Sequence, residues 1–156
     1  MNPDIEQTIR DYLPEVIHLS LATSKDNKPW VCEVHYAYDD KLNLYFRSTP
    51  ARRHSQEIAT NPYVAGTIVK QHGQDDAPLG IYFEGTAKKL DAGDDQTLAY
   101  ECVSKRFNLG PEILEEAKNP EGHQFYKITV DNWYIFGKLD DQGPIKHQLS
   151  WSGGEK

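Results

Sequence analysis

The chain has 156 residues, and 24 acidic against 17 basic side chains give a formal charge of −7 at neutral pH. That length amounts to one domain with room for a core that needs no staples. The acidic balance excludes a general nucleic-acid or anionic-membrane binder, and 11% aromatic content excludes a disordered tail.

Residues 3–13 read as a helix, with Asn2 as cap, Pro3 at the first position and Ile5, Ile9 and Leu13 at i, i+4, i+8; Pro14 ends it. The period then changes to two. Residues 16–23 set Ile17, Leu19 and Leu21 against His18, Ser20 and Ala22. After a polar turn, 29–38 set Trp30, Cys32, Val34, Tyr36 and Tyr38 against Val31, Glu33, His35 and Ala37. Asp39-Asp40-Lys41 turns the chain, and Leu42, Leu44 and Phe46 alternate with Asn43, Tyr45 and Arg47. The expectation is a three-strand antiparallel meander.

A helix follows, capped by Ser48 or Thr49, opened by Pro50 and closed by Asn61-Pro62. Strands are expected at 63–70 and 80–90, with a polar loop at 71–79 between them. Asp94 or Asp95 caps a helix to about Phe107, whose inner face is Leu98, Ala99, Cys102, Val103 and Phe107. Gly110-Pro111 breaks it, and a short helix covers 112–118. Strands at 124–130 and 133–139 follow, with a last short one around Ile145 to Leu149. The sum is a mainly β (α+β) domain with six or seven antiparallel strands and peripheral helices. It spans 1–151, with 152–156 as a frayed, flexible tail. Closing the sheet into a barrel would remove its exposed edges.

The stretch Arg47-Ser48-Thr49-Pro50-Ala51-Arg52-Arg53-His54 carries the clearest chemistry. A helix start offers free N–H groups and the positive end of the helix dipole, so three basic residues there are unfavourable for the helix alone. A bound anion reverses that sign: Arg grips phosphate bidentately, and hydroxyls and backbone N–H groups add donors. The competing reading is a solvated basic patch paired with the many acidic side chains.

Other signals are weaker. Cys32 and Cys102 lie in apolar-patterned segments and read as buried thiols of a reducing cytosol. The start lacks a basic n-region and apolar leader, and no run approaches about 18 apolar residues, so a cytoplasmic protein with no membrane partner is expected. Among six His, Glu33 and His35 share a strand face, but no third ligand is visible and no metal is expected. No Gly-x-Ser-x-Gly elbow marks a hydrolase. Trp133, Tyr134, Phe136 and Trp151 read as core or subunit interface.

The Leu44-Tyr45-Phe46 strand, the hydroxyl corner, Arg52-Arg53-His54, Ile58-Ala59-Thr60-Asn61-Pro62, Val64-Ala65, and Phe83-Glu84-Gly85-Thr86-Ala87 together resemble the pyridoxamine 5′-phosphate oxidase-like, FMN-binding split β-barrel family. Lys105-Arg106-Phe107 and Phe125-Tyr126-Lys127-Ile128-Thr129 extend the likeness over about residues 8–140. The resemblance implies a split-barrel homodimer with FMN at the subunit interface and flavin-dependent oxidoreductase activity on a small molecule. It puts the family's phosphate-binding Arg-Lys pair on Arg53 and His54, with Arg52 adjacent. Glu33, Val34 and His35 would lie along the isoalloxazine ring, Ser48 and Thr49 near the ring edge or ribityl-phosphate, and Thr67 on the neighbouring strand. True vitamin B6 oxidases of the family end in an Arg-x-His segment. This chain has Gly143-Pro144-Ile145-Lys146-His147-Gln148-Leu149-Ser150-Trp151 there, which points to the small bacterial branch and away from pyridoxamine 5′-phosphate as substrate. The competing readings are a non-catalytic protein binding or sensing flavin, haem through His35 or His147, or pyridoxal phosphate, and an enzyme using deazaflavin.

Overall fold

The computed structural model describes residues 4–137 and 145–155. The first helix, α1 (Ile5–Tyr12), is capped by Asp4, whose Oδ1 accepts from the Gln7 amide at 2.9 Å. The expected cap and opening proline, Asn2 and Pro3, lie outside the described residues. A 3-10 turn (Leu13–Glu15) leads into the sheet.

Eight strands form one antiparallel sheet among the described residues: β1 (His18–Lys25), β2 (Lys28–His35), β3 (Ala37–Tyr38), β4 (Leu44–Ser48), β5 (Tyr63–Ile68), β6 (Leu79–Lys89), β7 (Gln124–Gly137) and β8 (Ile145–Ser150). Their order is β2-β1-β5-β6-β7-β4-β3, with β8 also paired to β7. The two ends of this path, β2 and β3, are consecutive in the chain and separated only by Tyr36. The sheet therefore curls round on itself as a split barrel. The expected meander is corrected here: β1 pairs β2, but β4 pairs β3 and β7. The physical cause is Tyr36, which is fully buried, donates its hydroxyl to the Leu13 carbonyl at 2.7 Å and its amide to the Ile17 carbonyl at 3.2 Å. It breaks the strand expected over 29–38 in two and turns the second half onto another partner.

The strands expected at 124–130 and 133–139 are a single long strand. Between the two expected strands, the register against β6 shifts, with Glu84 opposite Asn132 and Gly85 opposite Val130. This bulge leaves Asp131 unpaired with β6 and bends the strand without ending it. A Cβ on Gly85 would lie 2.1 Å from the Thr129 carbonyl oxygen, so only glycine fits that approach.

Alternation works where the sheet is buried. Leu19, Leu21, Val64, Ile68, Ile81, Phe83, Ile128, Trp133 and Ile135 fill the barrel interior. A smaller core of Tyr45, Leu90, Ala99, Val103, Ile113 and Phe125 seals α3 (Asp94–Phe107) and α4 (Glu112–Ala117) against the β4 side. Two expected core positions are exposed: Ile17, just before β1, and Leu98 on α3. The cap of α3 is Gly93, with no side-chain bond, rather than an aspartate. Residues 153–155, expected as a frayed end, form one 3-10 turn, and Gly154 is buried. No helix among the described residues is long and apolar enough to cross a membrane.

Candidate functional site

The outer edge of β2 faces a cleft of about 900 Å³, floored by β4 and closed by α2 (Arg53–Thr60) and the end of α3. Being an edge strand, β2 carries backbone N–H and C=O groups that β1 does not take. Glu33, Val34 and His35 line the cleft there, and the His35 ring stacks on Phe107 with centroids 5.5 Å apart.

The helix at the cleft begins later than its sequence suggests. Its cap is Arg52, with no side-chain cap bond, and Arg53 is its first residue. Ser48 cannot cap it, because Ser48 is the last residue of β4, opposite Gln124, and its hydroxyl is 2.7 Å from the Nε2 of His54. The other ring nitrogen, Nδ1, lies 3.3 Å from the Cys32 sulfur. His54 thus ties β2, β4 and α2 together, and it is buried. Burial, then the nearby Arg52 charge, push its pKa below the ordinary histidine value, against a smaller opposing pull from Glu57. A neutral imidazole has one donor and one acceptor, which suits a thiol on one side and a hydroxyl on the other. Burial and the neighbouring Glu33 push the Cys32 thiol up, so it too is neutral. His54 therefore brings no positive charge to the cleft.

Positive charge comes from arginine. The Arg53 Nε donates to Glu57 Oε2 at 2.8 Å, and its guanidinium carbon lies over the Trp30 ring 4.3 Å from the centroid. Glu57 is buried, and its other oxygen accepts from the Thr23 hydroxyl at 2.9 Å. The bond from Arg53 holds the Glu57 carboxyl below the usual carboxylate range. Arg52 is exposed and makes no ion pair among the described residues. On the β4 floor, Arg47 pairs with Glu116 at 2.7 Å, and Glu116 also takes His123 Nδ1 at 2.6 Å. Hydrogen bonds from His123, first from its side chain, hold the Glu116 carboxyl low.

Of the nine residues expected at the site, Glu33, Val34, His35, Ser48, Arg52, Arg53 and His54 line this cleft, and Thr49 and Thr67 do not. Thr67 sits on β5 opposite Ser20 and Tyr82, on the same face as the exposed Tyr63 and Ala65. The sequence reading did not include Trp30, Arg47, Phe107 or His123 among the site residues, yet all four line the cleft. The Arg53–Glu57 pair was legible as an i,i+4 spacing on a helix. The Glu116–His123 contact crosses from α4 to the start of β7 and has no local signature. Among the described residues, no group of three or more His, Cys, Asp or Glu side chains could hold a metal.

A curled antiparallel sheet with a cleft at its edge strand defines the split-barrel class, and comparison with known proteins gives the family. The family model described as "Pyridoxamine 5'-phosphate oxidase" matches residues 5–137, and the chain belongs to that family. A UPF0306 protein of Photorhabdus laumondii is 30% identical over 102 residues, 65% of this chain and 71% of that protein. Among solved structures, a heme-binding protein from Mycobacterium smegmatis superposes with a TM-score of 0.73 at 17% identity, covering 99% of this chain and 60% of that one. An FAD-binding protein from Mesorhizobium loti superposes with a TM-score of 0.65 at 22% identity, covering 86% of this chain and 93% of that one. At such identities these likenesses show the fold.

Proposed function

We propose that the cleft binds FMN between two copies of the chain and that the protein is an FMN-dependent oxidoreductase acting on a small molecule. The observation that carries this reading is the pairing, within one cleft of about 900 Å³, of an open strand edge at Glu33–His35 with guanidinium donors at Arg52 and Arg53. A flavin needs both, a flat polar edge for its ring and a cationic end for its phosphate. The donor set therefore fits the cofactor. Glu33, Val34 and His35 hold the ring edge, and Arg53 and Arg52 hold the phosphate. Ser48 and His54, locked to each other, keep the wall between them rigid. When bound, the flavin supplies the hydride or electron transfer, and the chain's task is to bind and orient it.

Purified protein should be yellow or quench FMN fluorescence on titration. Arg53→Ala should weaken FMN much more than riboflavin. A protein that binds neither flavin overturns the reading, and equal losses for both flavins overturn the phosphate role of Arg53.

A haem-binding protein is the second reading. It is favoured by the exposed His35 imidazole in the cleft wall, and the Mycobacterium smegmatis neighbour is named for haem binding. His147 lies on β8 opposite Ile135 and does not line the cleft. Haem titration would then give a Soret band that His35→Ala removes.

A further inference from the structure

The Arg53 guanidinium is held on two sides by groups that no flavin-site expectation includes. Its Nε is fixed to Glu57 Oε2 at 2.8 Å, and Glu57 is itself fixed by the Thr23 hydroxyl at 2.9 Å on its other oxygen. The guanidinium carbon lies over the Trp30 indole, 4.3 Å from the ring centroid. A bond to Nε and a ring packed under the guanidinium carbon together restrict where the group sits. What is left is the pair of terminal amino groups, which have no hydrogen-bond partner among the described residues. Arg53 and Trp30 both line the cleft, whereas Glu57 and Thr23 are buried behind them.

Charge follows a different distribution from geometry. The Glu57 carboxylate offsets the Arg53 charge, so the pair is close to neutral as a unit. Among the described residues, the cation of this wall without an ion pair is Arg52, exposed at the cap of α2 and adjacent to Arg53. Such a division suits a small, multivalent oxyanion: one guanidinium presented as a bidentate fork, and a neighbouring exposed one supplying net charge.

We propose that Trp30 and Glu57 are positioning residues that preset Arg53 as a bidentate phosphate fork, with Arg52 supplying the net charge of the subsite. This rests on the flavin reading for the identity of the natural ligand, but the fork itself would take any terminal phosphate. Trp30 acts through Arg53 and not by stacking on the flavin ring. Ordering a free arginine side chain opposes binding, and a preset one avoids that loss.

The test measures dissociation constants of inorganic pyrophosphate, FMN and riboflavin by calorimetry on the full chain. Trp30→Ala should weaken pyrophosphate and FMN about three- to tenfold and leave riboflavin unchanged, which is the size of a partly exposed cation–π contact. Trp30→Phe should restore most of that loss, since phenylalanine keeps a stacking face. Arg53→Lys should lose as much as Trp30→Ala despite keeping its charge, because a lysine ammonium is a point donor without a fork. Glu57→Gln keeps an acceptor for Nε and removes the opposing charge, so pyrophosphate affinity should hold or rise, whereas Glu57→Ala should lower it. Arg52→Gln should flatten the salt dependence of pyrophosphate binding more than Arg53→Lys does.

Equal loss of FMN and riboflavin in Trp30→Ala would make Trp30 a ring contact and overturn the proposal. So would unchanged pyrophosphate binding in Trp30→Ala and Arg53→Lys, or no pyrophosphate binding by the unmodified protein. Binding of pyrophosphate with these variant effects, but of neither flavin, would uphold the fork and overturn only the flavin reading.

Discussion

His54 stands where the family resemblance put a phosphate-binding cation, and its surroundings make it a neutral tie between Cys32 and Ser48. That assignment has a measurable consequence for stability. Burial and Arg52 lower its folded-state pKa below the ordinary value near 6.5. The unfolded chain therefore takes up the proton first as pH falls. The stability linked to this group is fully present above about pH 6.5 and is lost as pH drops toward the folded pKa. Within that window one proton changes the free energy of unfolding by at most about 1.4 kcal/mol per pH unit. The perturbation is His54→Gln, which has no ring to span from the thiol to the hydroxyl. At pH 7.5 it should cost about 1–3 kcal/mol, the cost of leaving buried partners unmet. Urea unfolding at steps from pH 7.5 to 5 reads both effects. The difference between wild type and His54→Gln should shrink as pH falls, because only the wild type carries the titrating group. A difference that stays constant over that range would refute the neutral, buried assignment, and one that grows would indicate a His54 charged in the fold.

Two further outcomes follow from the packing and from the thiols. Gly85→Ala puts a Cβ against the Thr129 carbonyl in the β6–β7 bulge and should destabilise by about 1–3 kcal/mol, read as a lower urea midpoint; a midpoint unchanged within error would mean the bulge is not constrained there. Cys102, pushed up to about 11 chiefly by burial and then by Asp39, should resist iodoacetamide at pH 8, with mass spectrometry showing labelling far slower than for a free thiol; rapid labelling would contradict that environment.

The arrangement of charge in the cleft also bears on its chemistry. Two of its three arginines carry carboxylate partners, Arg47 with Glu116 and Arg53 with Glu57, so an acidic protein keeps cationic geometry in the site without a large local field. The Glu116–His123 contact holds another imidazole of the cleft, besides His54 and the His35 stacked on Phe107. His123, His35 and Phe107 all line the cleft proposed for the flavin.

The amino-acid sequence by itself determined the strand character of the chain, its peripheral helices, and the basic cluster at the start of α2. These are local properties: alternation with period two, proline and glycine breaks, and a run of three basic residues. The family likewise was legible in the order of several short motifs. Tertiary structure decided the rest, because it depends on partners distant in the chain. Tyr36 reads as one more inward residue of a long strand, but its bonds to Leu13 and Ile17 break that strand and close the barrel. Residues 124–130 and 133–139 read as two strands, but a bulge against Glu84 and Gly85 carries one strand through. His54 reads as the third basic residue of a phosphate-binding helix start. Contacts with a thiol 22 residues away and with a hydroxyl at a strand end make it a neutral part of the core. Charge state and strand partner are set by what surrounds a residue in space, and local spacing carries no record of that.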